Sequence, residues 1–290
     1  MKLKISELFY SAQGEGRFVG VPSVFLRTYG CNFTCSGFGC LPGEKSTEAD
    51  EVAKNIHLYK DFLSLPLVNT GCDSYASWHP AFKELSPTKE TSVLVDEMLA
   101  LTPNNKWVQD NGNDVHLVIT GGEPLLGWQR AYQELLSHER MQDLRNITFE
   151  TNGTQTLQGK FIDYLLEWGD IAGNQVTFSV SPKLSASGEK WEEAIRPDVV
   201  KSYFTQIPFA ADYSYFKFVV STQQDVQDAL KAKKEYEDAG IDIPVYLMPV
   251  GGVNSVYEMN ERQVADFCRD NGLRFSPRIQ VPLYKNAWGT

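Results

Sequence analysis

Apolar and polar positions change rhythm along this chain. From about residue 90 onward, short apolar runs recur at 115–120, 146–150, 175–180, 215–220, 243–248 and 274–276. Between them, 92–101, 128–137, 160–167, 190–202, 223–239 and 257–271 repeat apolar residues at the spacing of one helix face. Short apolar runs alternating with amphipathic stretches predict βα units and a parallel sheet. Earlier, 22–29 (Pro-Ser-Val-Phe-Leu-Arg-Thr-Tyr) reads as another strand leading into Gly30-Cys31. About six parallel strands with helices outside predict an α/β fold, a full or partial barrel, whose sites lie at the C-terminal strand ends. Cys31, Gly121, Thr151 and Ser181 all follow predicted strands and would line one mouth.

Residues 36–71 interrupt this rhythm. They are mixed in charge, carry Pro42 and Pro66, and read as an inserted loop with one short helix at most. A loop this long inside a compact domain is usually functional or disordered. Otherwise 1–290 reads as one domain, with 42% apolar residues to supply a core.

Composition then narrows the class. No apolar run approaches the roughly 18 residues of a membrane span, and the N-terminus lacks a signal-peptide stretch, so a cytoplasmic location and no membrane partner are expected. A net charge of −10 argues against a broad grip on nucleic acid. Five cysteines, four of them at or before residue 72, suggest metal or redox chemistry rather than disulfides.

Cys31-Asn32-Phe33-Thr34-Cys35, with Cys40 nearby and Cys72 far along the chain, can surround one metal centre. Spacing alone leaves two readings open: an iron–sulfur cluster on three thiolates, or a zinc site using Cys31, Cys35, Cys40 and Cys72. Thr120-Gly121-Gly122-Glu123-Pro124 follows the run at 115–120. Its glycines admit close approach of a ligand and its carboxylate suits an ammonium group; alone, it reads sooner as an ordinary strand–turn–helix junction opened by Pro124.

Together, Cys-x3-Cys after one strand and GGEP after a later one resemble the radical S-adenosylmethionine (SAM) superfamily. There three cysteines hold a [4Fe–4S] cluster, SAM chelates the free iron, and GGEP contacts the SAM amino group. The superfamily spacing is Cys-x3-Cys-x2-Cys, whereas Phe38 stands at the third position here. The segments 6–17 (Ser-Glu-Leu-Phe-Tyr-Ser-Ala-Gln-Gly-Glu-Gly-Arg), 20–27 (Gly-Val-Pro-Ser-Val-Phe-Leu-Arg) and Gly30-Cys31-Asn32 closely resemble the 7-carboxy-7-deazaguanine synthase family. Cys72-Asp73-Ser74-Tyr75-Ala76-Ser77-Trp78 resembles that family's last cysteine segment. The resemblance thus implies Cys31, Cys35 and Cys72 as ligands, with 36–71 inserted between the second and third and Cys40 a bystander. Segments 150–154, 179–183, 216–220 and 247–249 extend it, more weakly beyond residue 190.

The family implies a radical SAM lyase. It converts 6-carboxy-5,6,7,8-tetrahydropterin to 7-carboxy-7-deazaguanine with loss of ammonia, using a [4Fe–4S] cluster, SAM and Mg²⁺, a one-electron donor such as a flavodoxin, and a homodimer. It implies roles residue by residue. Arg27 binds the substrate carboxylate, for which a guanidinium fork is suited, although a salt bridge is the plainer reading. Ala12, Gln13, Gly14 and Thr120 contact the pterin. Gly122, Glu123, Ser181, Lys183, Met248 and Pro249 contact SAM, although a Met in an apolar strand is more often core.

Ser74 stands where the family has a Mg²⁺-binding threonine, keeping the hydroxyl, and Asp73 is either its neighbour in the site or a turn residue. Cys268 reads as buried and inert, and His57, His79, His116 and His138 form no ligand spacing. Two other readings compete: a radical SAM activase that makes a glycyl radical on a partner protein, and a zinc-stabilised binding protein.

Overall fold

The computed structural model describes residues 1–250, 259 and 261–290. Its strands are β1 (Lys2–Ala12), β2 (Pro22–Thr28), β3 (Thr88–Glu90), β4 (His116–Gly121), β5 (Asn146–Thr151), β6 (Gln175–Val180), β7 (Tyr215–Val220), β8 (Val245–Pro249) and β9 (Arg274–Phe275). They form one sheet in the order β3-β1-β2-β4-β5-β6-β7-β8-β9. From β2 to β9 every neighbouring pair is parallel. β1 runs antiparallel to β2 and to β3. Among the described residues the sheet has two edges, β3 and β9, so the α/β architecture is an open, partial barrel.

The parallel strands carry little alternation because both faces are covered. Every residue of β4 and β8 is buried, as expected where helices cross over one face and side chains fill the other. The principal helices are α1 (Glu48–Lys54), α2 (Thr91–Leu101), α3 (Gln129–Leu136), α4 (Gly159–Gly169), α5 (Trp191–Ala194), α6 (Pro197–Gln206), α7 (Gln223–Asp238), α8 (Glu261–Asp270) and α9 (Gln280–Tyr284). In the main core Phe149, Phe178 and Tyr203 stack in series at 5.8 and 4.7 Å. Burying each such ring removes enough apolar surface to be worth about 2–3 kcal/mol.

Three expectations need correction. The strand β1, eleven residues long, was hidden by its polar residues Glu7, Ser6 and Ser11, yet it pairs with β2 along nearly its whole length. The helix expected over 190–202 is two helices, α5 and α6. Pro197 forces the break, because it disfavours helical backbone in the residue before it, and Arg196 accordingly sits at φ −124°, ψ 75°. Pro124 does not open a helix; α3 begins at Gln129. The start of the helix expected over 257–271 lies outside the described residues.

The insertion is more ordered than a loop. It holds α1 and two short 3₁₀ turns, Ile56–Leu58 and Phe62–Ser64. Phe62 and Leu65 join Tyr75, Ala76 and Phe82 in a second apolar cluster separate from the main core. Trp288, from the last residues of the sequence, packs edge-on against Phe62 and Tyr75.

Candidate active site

Strand register builds the floor of the site. Glu7 on β1 lies opposite Arg27 on β2, and Arg27 lies beside Thr120 on β4. Cross-strand neighbours on one face are close enough to pair. Arg27 Nε donates to Glu7 Oε2 at 2.7 Å, and this is its one hydrogen bond among the described residues. Thr120 Oγ1 donates to Glu150 Oε2 at 3.1 Å. Glu7, Arg27, Thr120 and Glu150 all face a cavity of about 280 Å³ at the C-terminal ends of the strands.

Cys31, Gly121, Thr151 and Ser181, the four strand exits, line that same cavity. Cys35 and Cys72 join them there, although Cys72 comes from beyond the insertion. Phe33, Cys35 and Ala194 form an apolar cluster on which Cys31, Phe38 and Cys72 pack. Burial pushes the Cys31 thiol up to about 12 and also raises Cys35 and Cys72. Buried thiols of this kind become thiolates when a metal supplies the compensating charge.

Among the described residues no three His, Cys, Asp or Glu side chains are placed to hold one metal ion. Cys31, Cys35 and Cys72 nevertheless line one cavity. Cys40 stays outside the cavity; its thiol points to the Ser36 and Phe38 carbonyls of its own loop.

The GGEP turn is packed against the cysteine loop. A Cβ on Gly122 would lie 2.5 Å from Gly30 O and 2.6 Å from Cys31 Cβ, so only glycine fits. Glu123, expected to contact SAM, is fully buried and does not line the cavity. Its carboxylate accepts from Thr151 Oγ1 at 2.8 Å, Asn152 N at 2.6 Å and Leu125 N at 3.0 Å. Its carboxylate thus ties the β4 exit to the β5 exit, while its neighbours Gly121 and Gly122 line the cavity.

Ala12, Gln13, Gly14 and Pro249 also do not line the cavity. Ala12 and Pro249 sit in strand pairings, with Pro22 and Val220. Gln13 instead reaches Glu150 Oε1 through its amide at 3.3 Å, and Gly14 lies under Gln280, whose Oε1 would be 2.0 Å from an added Cβ. Gly122, Ser181, Lys183, Met248 and Ser74 do line it. Lys183 has no ion pair among the described residues, while Ser74 Oγ lies 3.5 Å from Cys72 Sγ.

The sequence reading missed an interlocked charge network that lines the same cavity. Lys217 Nζ donates to Glu15 at 2.6 Å, Arg278 Nε to Glu15 at 3.0 Å, and Gln280 Nε2 to Glu15 at 2.6 Å. Arg278 Nη2 reaches Asp73 at 3.0 Å, so Asp73 is more than a turn residue. Burial opposes the charge of Glu15, but Lys217 and Arg278 outweigh it and hold the carboxyl well below the usual range. The available signal was Lys217 itself: a lysine inside the run Tyr-Phe-Lys-Phe-Val-Val is rarely buried unless paired.

The tail was missed as well. Trp288 Nε1 donates to Leu65 O at 2.8 Å, and Gly289 N donates to Glu7 Oε1 at 2.8 Å, so residues 286–290 close one side of the cavity. His116 and Cys268 are buried in structural roles. His116 packs edge-on against Phe18, and the Cys268 thiol donates to Arg274 O.

No family model matches the chain. A 7-carboxy-7-deazaguanine synthase of Halobacterium salinarum is 30% identical over 98% of this chain and 91% of its own length. One from Pyrobaculum aerophilum is 26% identical over 99% and 97%. The crystal structure of QueE from Escherichia coli superimposes with a TM-score of 0.52 at 19% identity, covering 95% of this chain and 93% of that one.

Fold, thiol pocket and these relatives place the chain among the radical SAM enzymes, the class that works with a [4Fe–4S] cluster and S-adenosylmethionine. Within that class it belongs to the 7-carboxy-7-deazaguanine synthase family, as a lyase of deazapurine biosynthesis. The activase and zinc-module readings fall with this assignment. Among the described residues no helix is long and apolar enough to cross a membrane.

Proposed function

We propose that this chain takes 6-carboxy-5,6,7,8-tetrahydropterin as substrate and releases 7-carboxy-7-deazaguanine and ammonia. One observation carries the reading: the same cavity is lined by three thiols and by Arg27, which Glu7 backs. Cys31, Cys35 and Cys72 would hold the cluster. Cluster and SAM, when bound, supply the radical that starts the rearrangement.

The chain's own residues orient and shield the substrate. Glu7 fixes the Nε edge of Arg27 and leaves the Nη edge for the substrate carboxylate, a bidentate match. Thr120, Glu150 and Lys217 present a hydroxyl, a carboxylate and an ammonium to the pterin edge. Gln13 acts through Glu150 rather than by contact. On the SAM side, Gly122 offers backbone, Ser181 a hydroxyl, and Lys183 an unpaired cation suited to a carboxylate, while Met248 supplies an apolar wall.

Ser74 keeps the hydroxyl a Mg²⁺ ion would take, the remaining positions going to water and substrate oxygens. The reduction needs an external one-electron donor, flavodoxin-like in chemistry. A homodimer is the expected assembly.

Anaerobic reconstitution tests the reading. The reconstituted chain, given the tetrahydropterin, SAM, dithionite and Mg²⁺, should form 7-carboxy-7-deazaguanine with one ammonia per product. Arg27→Lys should lower kcat/KM by about tenfold or more through loss of the bidentate contact. No product from a protein holding about four irons per chain would sink the substrate assignment.

A further inference from the structure

Residues 36–71 separate Cys35 from Cys72, so no third cysteine closes the Cys31–Cys35 loop locally. Something else must hold its shape. Cys35 itself sits in left-handed backbone, at φ +48°. A residue with a side chain stays there only where its surroundings over-determine it.

The surroundings are supplied by the loop after β6. One oxygen of Glu189 accepts from Cys35 N at 2.7 Å, Thr34 N at 2.9 Å and Thr34 Oγ1 at 3.3 Å. Hydrogen bonds to a carboxylate are stronger than those to a neutral acceptor. Two residues on, Gly37 N donates to Ser187 O at 2.9 Å. A Cβ on Gly37 would lie 2.7 Å from Gly188 N and 2.8 Å from Ala186 O. Glu189 N is in turn fixed by Ser187 Oγ at 3.2 Å. The turn 185–189 therefore grips the cysteine loop on both sides of Cys35. It follows Ser181 and Lys183 on the same connection.

We propose that Glu189 is a positioning residue for cluster binding: its carboxylate holds Thr34 and Cys35 so that the Cys35 thiolate is presented to the cluster, replacing the constraint of a nearby third cysteine. The proposal rests on the reading of Cys31, Cys35 and Cys72 as ligands. It also places a fixed negative charge beside the cluster, which disfavours reduction.

The full chain, reconstituted anaerobically, is assayed as wild type, Glu189→Ala, Glu189→Gln and Cys35→Ala. Iron per chain, the rate of iron loss to a chelator, the cluster midpoint potential and the melting curve of the metal-free chain are measured. Glu189→Ala should lose iron about 10–100-fold faster than wild type, the usual effect of removing a group that supports a ligand, with the metal-free melt unchanged. Glu189→Gln keeps an acceptor oxygen, so it should hold iron nearly as wild type while its potential rises.

Wild-type iron retention in Glu189→Ala would overturn the clamp. So would a metal-free melt that falls in step with the iron, which marks a merely structural role, or an unchanged potential in Glu189→Gln. A Cys35→Ala chain that still holds about four irons would instead remove the ligand reading beneath it.

Discussion

The sheet exits and the insertion both contribute to the cavity, by different physical means. Arg27, Thr120 and Thr151 are placed by strand register over the main core, and Cys31 follows the end of β2 by three residues. Cys72 is placed by a small second cluster around Phe62, Tyr75 and Phe82 and by local hydrogen bonds. The Glu48 carboxylate, for example, accepts from Asn69 N at 2.7 Å, Thr70 N at 3.0 Å and Thr70 Oγ1 at 2.7 Å, anchoring the approach to Gly71 and Cys72. Register is cooperative and covers the whole sheet; the second cluster rests on a few rings and the docked Trp288. Two thiols are thus built on the rigid part of the molecule and the third on a part that can loosen separately.

Breaking the meeting point of the two regions should have the largest effect. Cys72→Ala should leave no stable cluster and no measurable turnover, whereas Cys40→Ala should retain both, read by iron content and product formation. The reverse pattern would move the third ligand into the insertion.

Next comes the network that joins β1, β7 and the tail. Glu15→Ala strips the shared anion from Lys217 and Arg278, which are 5% and 8% exposed. Leaving buried cations without their partner costs about 3–5 kcal/mol, read as a fall in the urea midpoint at constant slope. Glu15→Ala with an unchanged midpoint would mean that Asp73 and Glu150 suffice.

Trp288→Ala sharpens the contrast, because its ring packs in the second cluster while it also lines the cavity. A cost of about 1–3 kcal/mol is expected, confined to the tail and insertion in amide exchange and accompanied by a higher KM for the pterin. Loss of protection across β4 to β6 as well would show that the two regions unfold together.

Changes of pH probe single groups rather than a whole region. Burial lowers the His116 pKa from 6.5 to about 4. Between those values the unfolded chain binds the proton and the folded chain does not, so stability falls as pH drops through this window. Glu15 adds a second loss as pH falls below its ordinary 4.5, because its folded pKa is depressed. His116→Gln should flatten the first phase and leave the second, in melts taken from pH 7 to pH 3.

Much of this was legible in the chain. Apolar runs alternating with amphipathic ones predicted β4 to β8 closely, because a strand covered on both faces must be apolar throughout. The strand exits therefore located the cavity, and the motifs Cys31–Cys35 and GGEP supply residues that line it. What pattern could not give was the partner of each charge. Glu123 is a lone carboxylate in sequence and a tie between two strand exits in space. Glu7, Glu15, Lys217 and Arg278 are ordinary charges in sequence and one network in space.

The sequence by itself determined the α/β layout, the cysteines available and the family to which the chain belongs. These follow from local spacing and side-chain type, which survive without long-range information. The family resemblance already implied Cys72 over Cys40; only the tertiary structure decided that Glu189 grips the cysteine loop at Cys35 and that Trp288 seals the insertion to the tail. Each of these is a contact between residues far apart in the chain. Such contacts depend on register and on the packing of a second small core, which no local pattern encodes.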